Sequence, residues 1–398
     1  MATSRRRSGA LAGEIEPYRW WLTARGHTPQ TVRLMLRELS QLGLWLQARG
    51  LPADRIDAGS VRAMFEQRKR DGHRIPGRRG MLVVEGFLRH RGLLVEPAAE
   101  PGELDVLLDR FRSWMVDERN LADTTVLRYG KTAHRFLTEQ AMPAGRLNMS
   151  GLTGADVNAF LLRESARVSA GSAKGRVAEL RALLRYLHVG GLIGSDLSAA
   201  VPPVGGWRLA TIPRLVSQQD IERVVAAPDP ATVNGARDRA ILLLVARLGL
   251  RCVEVEHLRL DDIDWRSGEI TIRGKARRED RMPLPAEVGQ AISAYLALRG
   301  VHGPGREVFW TCRAPRKPIG RELVSDVVRD RCGQVGVAPF GAHRMRHALA
   351  RQMLRGGADL TAISQVLRHQ DLATTAVYAK VDLDTLRLVA QPWPETAT

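Results

Sequence analysis

Apolar residues recur three and four positions apart through most of the first half of this 398-residue chain, which is the spacing of helices that pack on one face. Thr28-Pro29 and Asp123-Thr124 precede two such stretches and are candidate helix N-caps. In the second half, alternating runs at 263–265, 269–273 and 281–284 predict short strands, with GKARRED as a hairpin turn. Helical spacing returns after them. The pattern predicts all-α units followed by a mixed α+β, mainly helical domain with a small antiparallel sheet.

Two parts of the helical half resemble each other. Each carries a Trp, a polar cluster and then Thr-Val at a helix start, in WWLTARGHTPQTVRLMLREL from position 20 and SWMVDERNLADTTVLRYGKT from position 113. Their ends also match, as FLRHRGLL and YLHVGGLI. Two helical units of similar plan are therefore predicted, at about 12–97 and 104–200. Four tryptophans of these units are predicted to lie in cores: Trp20, Trp21, Trp45 and Trp114.

The domain boundaries follow from length and from breaker residues. The chain is long enough for two to three domains of roughly 150 residues each. Its clearest seam is VPPVGG at 201–206, with Pro213 just beyond, and a Pro-rich linker lies at 97–102. After the seam, a helix is predicted to end at Gly249, and a second helix to start at Arg251.

The chain is strongly basic, with a formal net charge of +17. Lys and Arg displace counterions from a polyanion, so this charge favours a nucleic-acid partner. A membrane is the competing partner, but the longest apolar run, 240–246, is far shorter than the roughly 20 residues that span a bilayer. A secretory leader is not expected, because Glu14, Glu16 and Arg19 interrupt its apolar region. The three cysteines form no C-x-x-C pair, which fits a reducing cytoplasm.

One stretch of the first helical unit is densely basic. Its density favours contacts with a nucleic-acid backbone, and a solvated helix face is the alternative. The candidate DNA-binding residues are Arg68, Lys69, Arg70, Arg74, Arg78 and Arg79.

Tyr378 follows a series of cationic and histidine side chains whose order no structural requirement explains. An attacked phosphate gains charge in its transition state and needs donors aimed at it, and a tyrosine hydroxyl can be the nucleophile. Glu254 can orient Arg251 through an ion pair. Singly, these residues fit a surface arginine, a solvated basic helix face or a core tyrosine. The joint pattern favours chemistry on a phosphodiester, with these candidates: Arg251, Lys275, His343, Arg346, His369 and Tyr378.

Metal sites are the alternative use of some of these residues. His343 and His347 have the spacing of a zinc-binding helix, but Arg344 stands where a zinc protease needs its glutamate, and Arg346 would place a cation beside the metal. Three aspartates crowd together before a strand and fit a turn better than a two-magnesium site: Asp261, Asp262 and Asp264. We therefore expect no metal and no other cofactor.

Four blocks resemble, in order and spacing, the signature blocks of the tyrosine recombinase, or phage integrase, family: GLRCVEVEHL, IRGKARREDRMPLP, HRMRH and LRHQDLATTAVY. The resemblance covers about 215–380 firmly and the second helical unit more loosely. It implies that Tyr378 is the nucleophile and Glu254 a supporting acid. The family usually has a small polar residue in place of Leu248 and a glycine in place of Arg368. We expect Arg368 to face solvent, with a phosphate contact as the alternative. The implied activating residues are Arg251, Lys275, His343, Arg346 and His369.

The resemblance also implies an organisation and an activity. The expected domains are an N-terminal DNA-binding unit at 1–100, a core-binding, SAM-like unit at 101–206 and a catalytic domain with a C-terminal tail at 207–398. The implied activity is site-specific cutting and rejoining of double-stranded DNA through a 3′-phosphotyrosyl intermediate, for a mobile element. Implied partners are recombination sites, further subunits in a tetrameric or hetero-multimeric synapse, and accessory recombination proteins, at the nucleoid. The alternatives are a Xer-like resolvase, a type IB topoisomerase-like relaxer and a catalytically silent DNA-binding regulator.

Overall fold

A computed structural model describes residues 9–368, except 55, 74, 76, 96–101, 141–146, 148, 150, 169, 204–215, 275–277 and 301–304. The chain divides into two compact units. One is discontinuous and joins Met1–Glu96 to Ile212–Thr398, and the other is the continuous stretch Pro97–Thr211. Four hydrophobic clusters are present in the described part: one in the N-terminal helices, one in the continuous unit, a large one in the C-terminal half, and a small one there around Ala350, Ile363 and Leu367.

The N-terminal helices of the discontinuous unit surround a core that contains Phe65 and Phe87. Thr28 caps the second helix through its hydroxyl, which accepts a hydrogen bond from the Thr31 backbone N–H, as predicted. Trp20 is 72% exposed, so its predicted core position is wrong. The buried face of its helix is Tyr18, Trp21 and Leu22, and Trp20 points away from that face. The elements are α1 Ile15–Ala24, α2 Pro29–Ala48, β1 Ile56–Asp57, α3 Ala58–Arg70, α4 Arg78–His90 and β2 Leu94–Val95, after a 3-10 helix at Gly9–Glu14.

The two short strands β1 and β2 pair in parallel, a feature that the all-α prediction for this unit did not contain. Trp45 is half-buried against the same core, and its indole N–H donates to Gln67 Oε1 at 3.0 Å. The N-terminal helices also contact the C-terminal half within the discontinuous unit. There the Arg316 backbone N–H donates to the Arg25 carbonyl at 2.9 Å.

The continuous unit also contains four helices in its described residues, in keeping with the predicted repeat. Trp114 packs on its core beside Phe111 and Tyr186. The predicted cap at Asp123 is off by one residue, because Ala122 is the N-cap and Asp123 lies in the first turn. An acidic side chain there is favoured by the helix dipole. The helices are α5 Glu103–Asp117, α6 Asp123–Glu139, α7 Gly154–Ala166 and α8 Ala170–Val189.

The C-terminal half of the discontinuous unit combines helices with one antiparallel sheet of order β3-β4-β5, which confirms the predicted fold class. The last strand begins at Glu279, so Glu279 and Asp280 do not belong to the turn as predicted. Glu279 pairs with Arg273 in the ladder and also accepts a hydrogen bond from its guanidinium, which extends the hairpin. The elements are α9 Gln218–Ala226, α10 Val233–Leu248, α11 Cys252–Glu256, β3 Ile263–Asp264, β4 Glu269–Arg273, β5 Glu279–Pro283, α12 Ala286–Arg299, α13 Arg321–Gln334, α14 Ala342–Arg355 and α15 Leu360–Val366.

None of the helices in the described ranges is long and apolar enough to cross a membrane.

Candidate active site

The site is built around a tight turn between α10 and α11. Gly249 ends α10 in the left-handed conformation, at φ 59°, and its N–H donates to the Leu244 carbonyl, as the predicted C-cap requires. A Cβ at this position would lie 2.8 Å from Leu367 Cδ2 and 3.1 Å from Leu349 Cδ2. The glycine therefore allows the ends of α10 and α15 to approach α14 closely. Two residues later, Arg251 is the N-cap residue of α11.

Glu254 holds Arg251 at two points. The Arg251 guanidinium donates from Nη1 to Glu254 Oε1 at 2.6 Å, and the Arg251 backbone N–H donates to Oε2 at 2.8 Å. The Glu254 side chain is 2% exposed, whereas that of Arg251 is 37% exposed. The carboxylate is thus enclosed, while the guanidinium that it orients remains open to a phosphate.

Arg346, on α14, contacts the turn that precedes this pair. Only 1% of the residue is exposed, and its guanidinium donates to the carbonyls of Gly249 and Leu367. A buried guanidinium needs such acceptors, because an unpaired buried charge costs several kcal/mol. Arg346 therefore ties the end of α10 to the end of α15 and places a desolvated positive charge beside the turn that leads to Arg251.

His343 precedes Arg346 by one turn of α14. Its ring lies edge-on to that of His347, with centroids 4.5 Å apart. Burial and then the charges of Arg346 and Arg251 lower the pKa of His343, and burial chiefly lowers the pKa of His347 to about 4. Both imidazoles are therefore neutral near pH 7, the form that can accept a proton.

Arg368 is the residue that sequence reasoning misplaced. It was expected to face solvent, yet it is 7% exposed and pairs with Glu254 Oε2 through Nη2 at 2.9 Å. Its φ is 53°, a conformation that glycine adopts without steric cost. This backbone geometry accounts for the glycine that the family usually has here. The sequence showed an arginine where the family usually has a glycine, but it did not show whether that side chain lies inside the site or in solvent.

The pKa of Glu254 reflects its two partners. Burial raises this pKa, but the charges of Arg368 and Arg251 and the Arg251 backbone N–H outweigh the effect, so the net pKa is lowered. Glu254 is consequently ionised and can serve both guanidinium groups.

Residues 214–384 match the model of the phage integrase family. The chain is 36% identical over 403 residues to y4rA of Sinorhizobium fredii, a protein named as an integrase/recombinase, and the match spans 100% of this chain and 98% of that protein. The chain belongs to the phage integrase family, the tyrosine recombinases. It is also 32% identical over 310 residues to tyrosine recombinase XerC of Myxococcus xanthus, covering 72% of this chain and 96% of that relative.

Solved structures of tyrosine recombinases share the fold. A lambda integrase dimer bound to a COC′ core site has a TM-score of 0.54 at 16% identity, over 81% of this chain and 91% of that one. XerH bound to a palindromic difH substrate has a TM-score of 0.54 at 15% identity, over 98% of both chains. The family resemblance inferred from the four sequence blocks is thereby confirmed, and members of this family are DNA strand-transferring enzymes.

The structure brings together four of the predicted site residues: Arg251, Glu254, His343 and Arg346. Three others, Lys275, His369 and Tyr378, lie outside the described residues. Gly274 and Arg278, which flank 275–277, are joined by a hydrogen bond of 2.8 Å from the Gly274 N–H to the Arg278 carbonyl.

The side chains of the basic stretch in the first unit lie in different environments. Arg68 pairs with Glu38, whose side chain is 2% exposed, so part of its charge is used inside the unit. Lys69, Arg70 and Arg78 are exposed. Arg74 and the side chain of Arg79 lie outside the described residues. Within the described part of the chain, no cluster of three or more His, Cys, Asp or Glu side chains could hold a metal ion.

The aspartates at β3 accept hydrogen bonds from neighbouring backbone N–H groups. Asp264 Oδ1 accepts the backbone N–H groups of Arg266 and Ser267, at 2.9 and 3.0 Å, which fits the predicted turn. Asp262 is buried and accepts the Arg259 backbone N–H at 2.8 Å.

Proposed function

We propose that this chain is a site-specific DNA recombinase that cuts a strand with Tyr378 and keeps the bond energy in a 3′-phosphotyrosyl linkage. The observation that carries the proposal is the Arg251–Glu254 pair, beside a turn that buried Arg346 contacts, in a chain that matches an integrase/recombinase over its full length. Partly exposed Arg251 can contact a non-bridging oxygen, and buried Arg346 strengthens the positive potential, because charge acts more strongly away from water.

The remaining roles follow from the chemistry of strand cleavage. A tyrosine hydroxyl has an ordinary pKa near 10, so it needs a base and a positive pocket at neutral pH. His343, neutral because its pKa is lowered, is the proposed base. His369 would add a donor to the phosphate, and Lys275, which comes between β4 and β5 in the sequence, would protonate the departing 5′ oxygen. Religation to a new 5′ hydroxyl reverses the same step, so the scheme uses no cofactor.

A mobile-element integrase or transposase is the proposed biological setting. Its partners would be double-stranded recombination sites, further subunits in a tetrameric synapse, and accessory proteins. The supporting observation is length: the XerC relative covers 72% of this chain, whereas the full-length match is to a protein named as an integrase/recombinase. Part of this chain thus lies outside the match to that tyrosine recombinase, and we take the N-terminal helices as the additional part. We propose that they bind DNA outside the crossover core, at 1–100, with core-binding and catalytic domains at 101–206 and 207–398.

The test is capture of the covalent intermediate. Nicked duplexes can be selected from a random-sequence pool by their covalent attachment to the wild-type chain, and the adduct scored on a denaturing gel. Tyr378→Phe should bind the selected duplex with wild-type affinity but form no adduct, because only the hydroxyl is lost. Excess EDTA should leave the wild-type adduct unchanged. An adduct from Tyr378→Phe, or activity that requires Mg²⁺ after chelation, would contradict the mechanism.

The same reagents separate the alternatives. A type IB-like relaxer would relax supercoiled plasmid without the selected site, and a silent regulator would bind DNA but capture no duplex covalently from the pool. A recombinase should need two sites and should exchange strands between them.

A further inference from the structure

Arg368 contacts the site with both its side chain and its main chain. Its guanidinium donates from Nη2 to Glu254 Oε2 at 2.9 Å and from Nη1 to the Val366 carbonyl at 3.0 Å. Its own carbonyl accepts a hydrogen bond from Arg251 Nη2 at 3.1 Å. The Arg251–Glu254 pair is therefore held from one side by a single residue, which follows the C-cap of α15.

Glu254 consequently lies between two guanidinium groups. Oε1 takes Arg251, while Oε2 takes Arg368 and the Arg251 backbone N–H. The side chains of Glu254 and Arg368 are 2% and 5% exposed, so water does not replace either partner easily. Loss of the Arg368 charge would leave a buried carboxylate with one cation, and that cation is the one the reaction needs at the phosphate.

The guanidinium also contacts the hairpin. Arg368 Nη1 lies 3.2 Å from the sulfur of Met282, which belongs to β5 and pairs with Ile270 of β4. Residues 275–277, with Lys275 among them, connect these two strands. Arg368 thus contacts β5 as well as Arg251 and Glu254.

The backbone at this position indicates that the side chain is retained for a purpose. A residue with a Cβ at φ 53° is strained relative to glycine, and such strain persists where the surroundings over-determine it. Arg368 offsets this strain through its ion pair with Glu254 and its hydrogen bond to the Val366 carbonyl, and both contacts lie inside the site.

We propose that Arg368 is a positioning residue for strand cleavage, which fixes Glu254 and through it aims the Arg251 guanidinium at the scissile phosphate. This inference rests on the proposed function. Arg368 does not touch the phosphate in this scheme; it acts through Glu254. The role is particular to chains that carry arginine in place of glycine at this position.

The test compares two substitutions that remove the same charge with opposite effects on the backbone. Arg368→Met keeps a Cβ at φ 53°, whereas Arg368→Gly relieves the strain and provides a variant that folds if the methionine variant does not. Both should lower single-turnover adduct formation on the selected nicked duplex by about 10²-fold, as expected when a catalytic group is displaced by about 1 Å. DNA affinity should stay within about twofold of wild type, since Arg368 is buried.

Two further measurements distinguish positioning from a structural role. Arg368→Lys, which keeps one charged donor, should recover part of the rate lost in Arg368→Met. In a double variant with Glu254→Gln, Arg368→Met should add little to the loss caused by Glu254→Gln alone, because both changes break one network. Arg329→Met, which removes an exposed ion pair with Asp326 on α13, is the matched control and should cleave at the wild-type rate.

The outcomes are separable. The positioning role of Arg368 would be overturned if Arg368→Met and Arg368→Gly both cleaved at the wild-type rate, or if the rate losses multiplied in the double variant. In either case the loss of the adduct in Tyr378→Phe would still support the proposed chemistry. A rate loss in Arg368→Met that Arg368→Gly restores would assign Arg368 to backbone structure only and would also overturn it. If the wild-type chain forms no adduct, the proposed function fails, and this inference fails with it.

Discussion

Gly249→Ala should destabilise the chain and its active site together, whereas the matched change Gly268→Ala should only strain a turn. Both glycines have a positive φ, 59° and 67°, so alanine costs each about 1–2 kcal/mol of unfolding free energy. Their surroundings differ. At Gly268 nothing lies within 4 Å of the added Cβ, but at Gly249 the Cβ meets Leu367 at 2.8 Å, Leu349 at 3.1 Å and Arg346 at 3.6 Å.

The magnitudes follow from these contacts. Overpacking a close-packed site costs about 1–3 kcal/mol, so Gly249→Ala should lose about 2–5 kcal/mol in total. The Gly249 carbonyl accepts hydrogen bonds from Arg346 and, at 3.5 Å, from Arg368, so a shifted turn should also displace both cations. A displacement of about 1 Å lowers a rate by about 10²-fold. Gly268 lies in the β3–β4 turn, away from these contacts, and its alanine variant should cleave normally.

Urea unfolding followed by circular dichroism measures the stability difference, and adduct formation per bound duplex measures the catalytic one. The reasoning would be refuted if the two alanine variants lost equal stability, or if Gly249→Ala cleaved at the wild-type rate. Equal stability losses would mean that the Leu367 side chain moves away from the added Cβ at little cost. A wild-type cleavage rate would mean that the Gly249 carbonyl does not position Arg346 and Arg368.

Three other predictions concern residues that act separately. Lys275→Ala should slow cleavage by about 10²-fold, and a 5′-bridging phosphorothiolate should restore most of the rate, because sulfur leaves without protonation; equal defects on both substrates would remove Lys275 as the acid. Burial lowers the pKa of His347 from 6.5 to about 4, so between these pH values the unfolded state binds more protons than the folded state. The contribution of neutral His347 to the free energy of unfolding should therefore be fully present above pH 6.5 and should decrease as the pH falls toward 4. His347→Gln should flatten that fall in urea unfolding at pH 4.5 and 7.5, and an unchanged slope would contradict the argument. Lys69→Gln and Arg70→Gln should each flatten the plot of log affinity against log salt by about 0.9, whereas Arg68→Gln should chiefly lower stability, because its partner Glu38 is buried.

The sequence predicted most of the architecture because its signals were local. The C-cap at Gly249, the N-cap at Thr28 and the alternating strands each depend on a few neighbouring residues, and all three appear in the structure. The errors at Trp20 and Asp123 also have local causes, since a one-residue offset changes which face of a helix, or which cap position, a side chain occupies.

Burial of charge was the property that the sequence could not reveal. The block HRMRH does not reveal that Arg346 is 1% exposed while Arg344, on the same helix, is partly exposed. The difference arises because the acceptors of Arg346 are main-chain carbonyls of Gly249 and Leu367, which are far away in sequence. Side-chain identity does not encode such acceptors, so only the assembled fold shows where they are.

The same acceptors explain how this site can hold three arginines close together. Arg251 and Arg368 share one carboxylate, but Arg346 is satisfied by helix-end carbonyls, which carry partial negative charge. The carbonyl dipoles therefore stabilise the buried charge of Arg346. The contacts that pack α10 and α15 against α14 are thus also the contacts that build the proposed phosphodiester site.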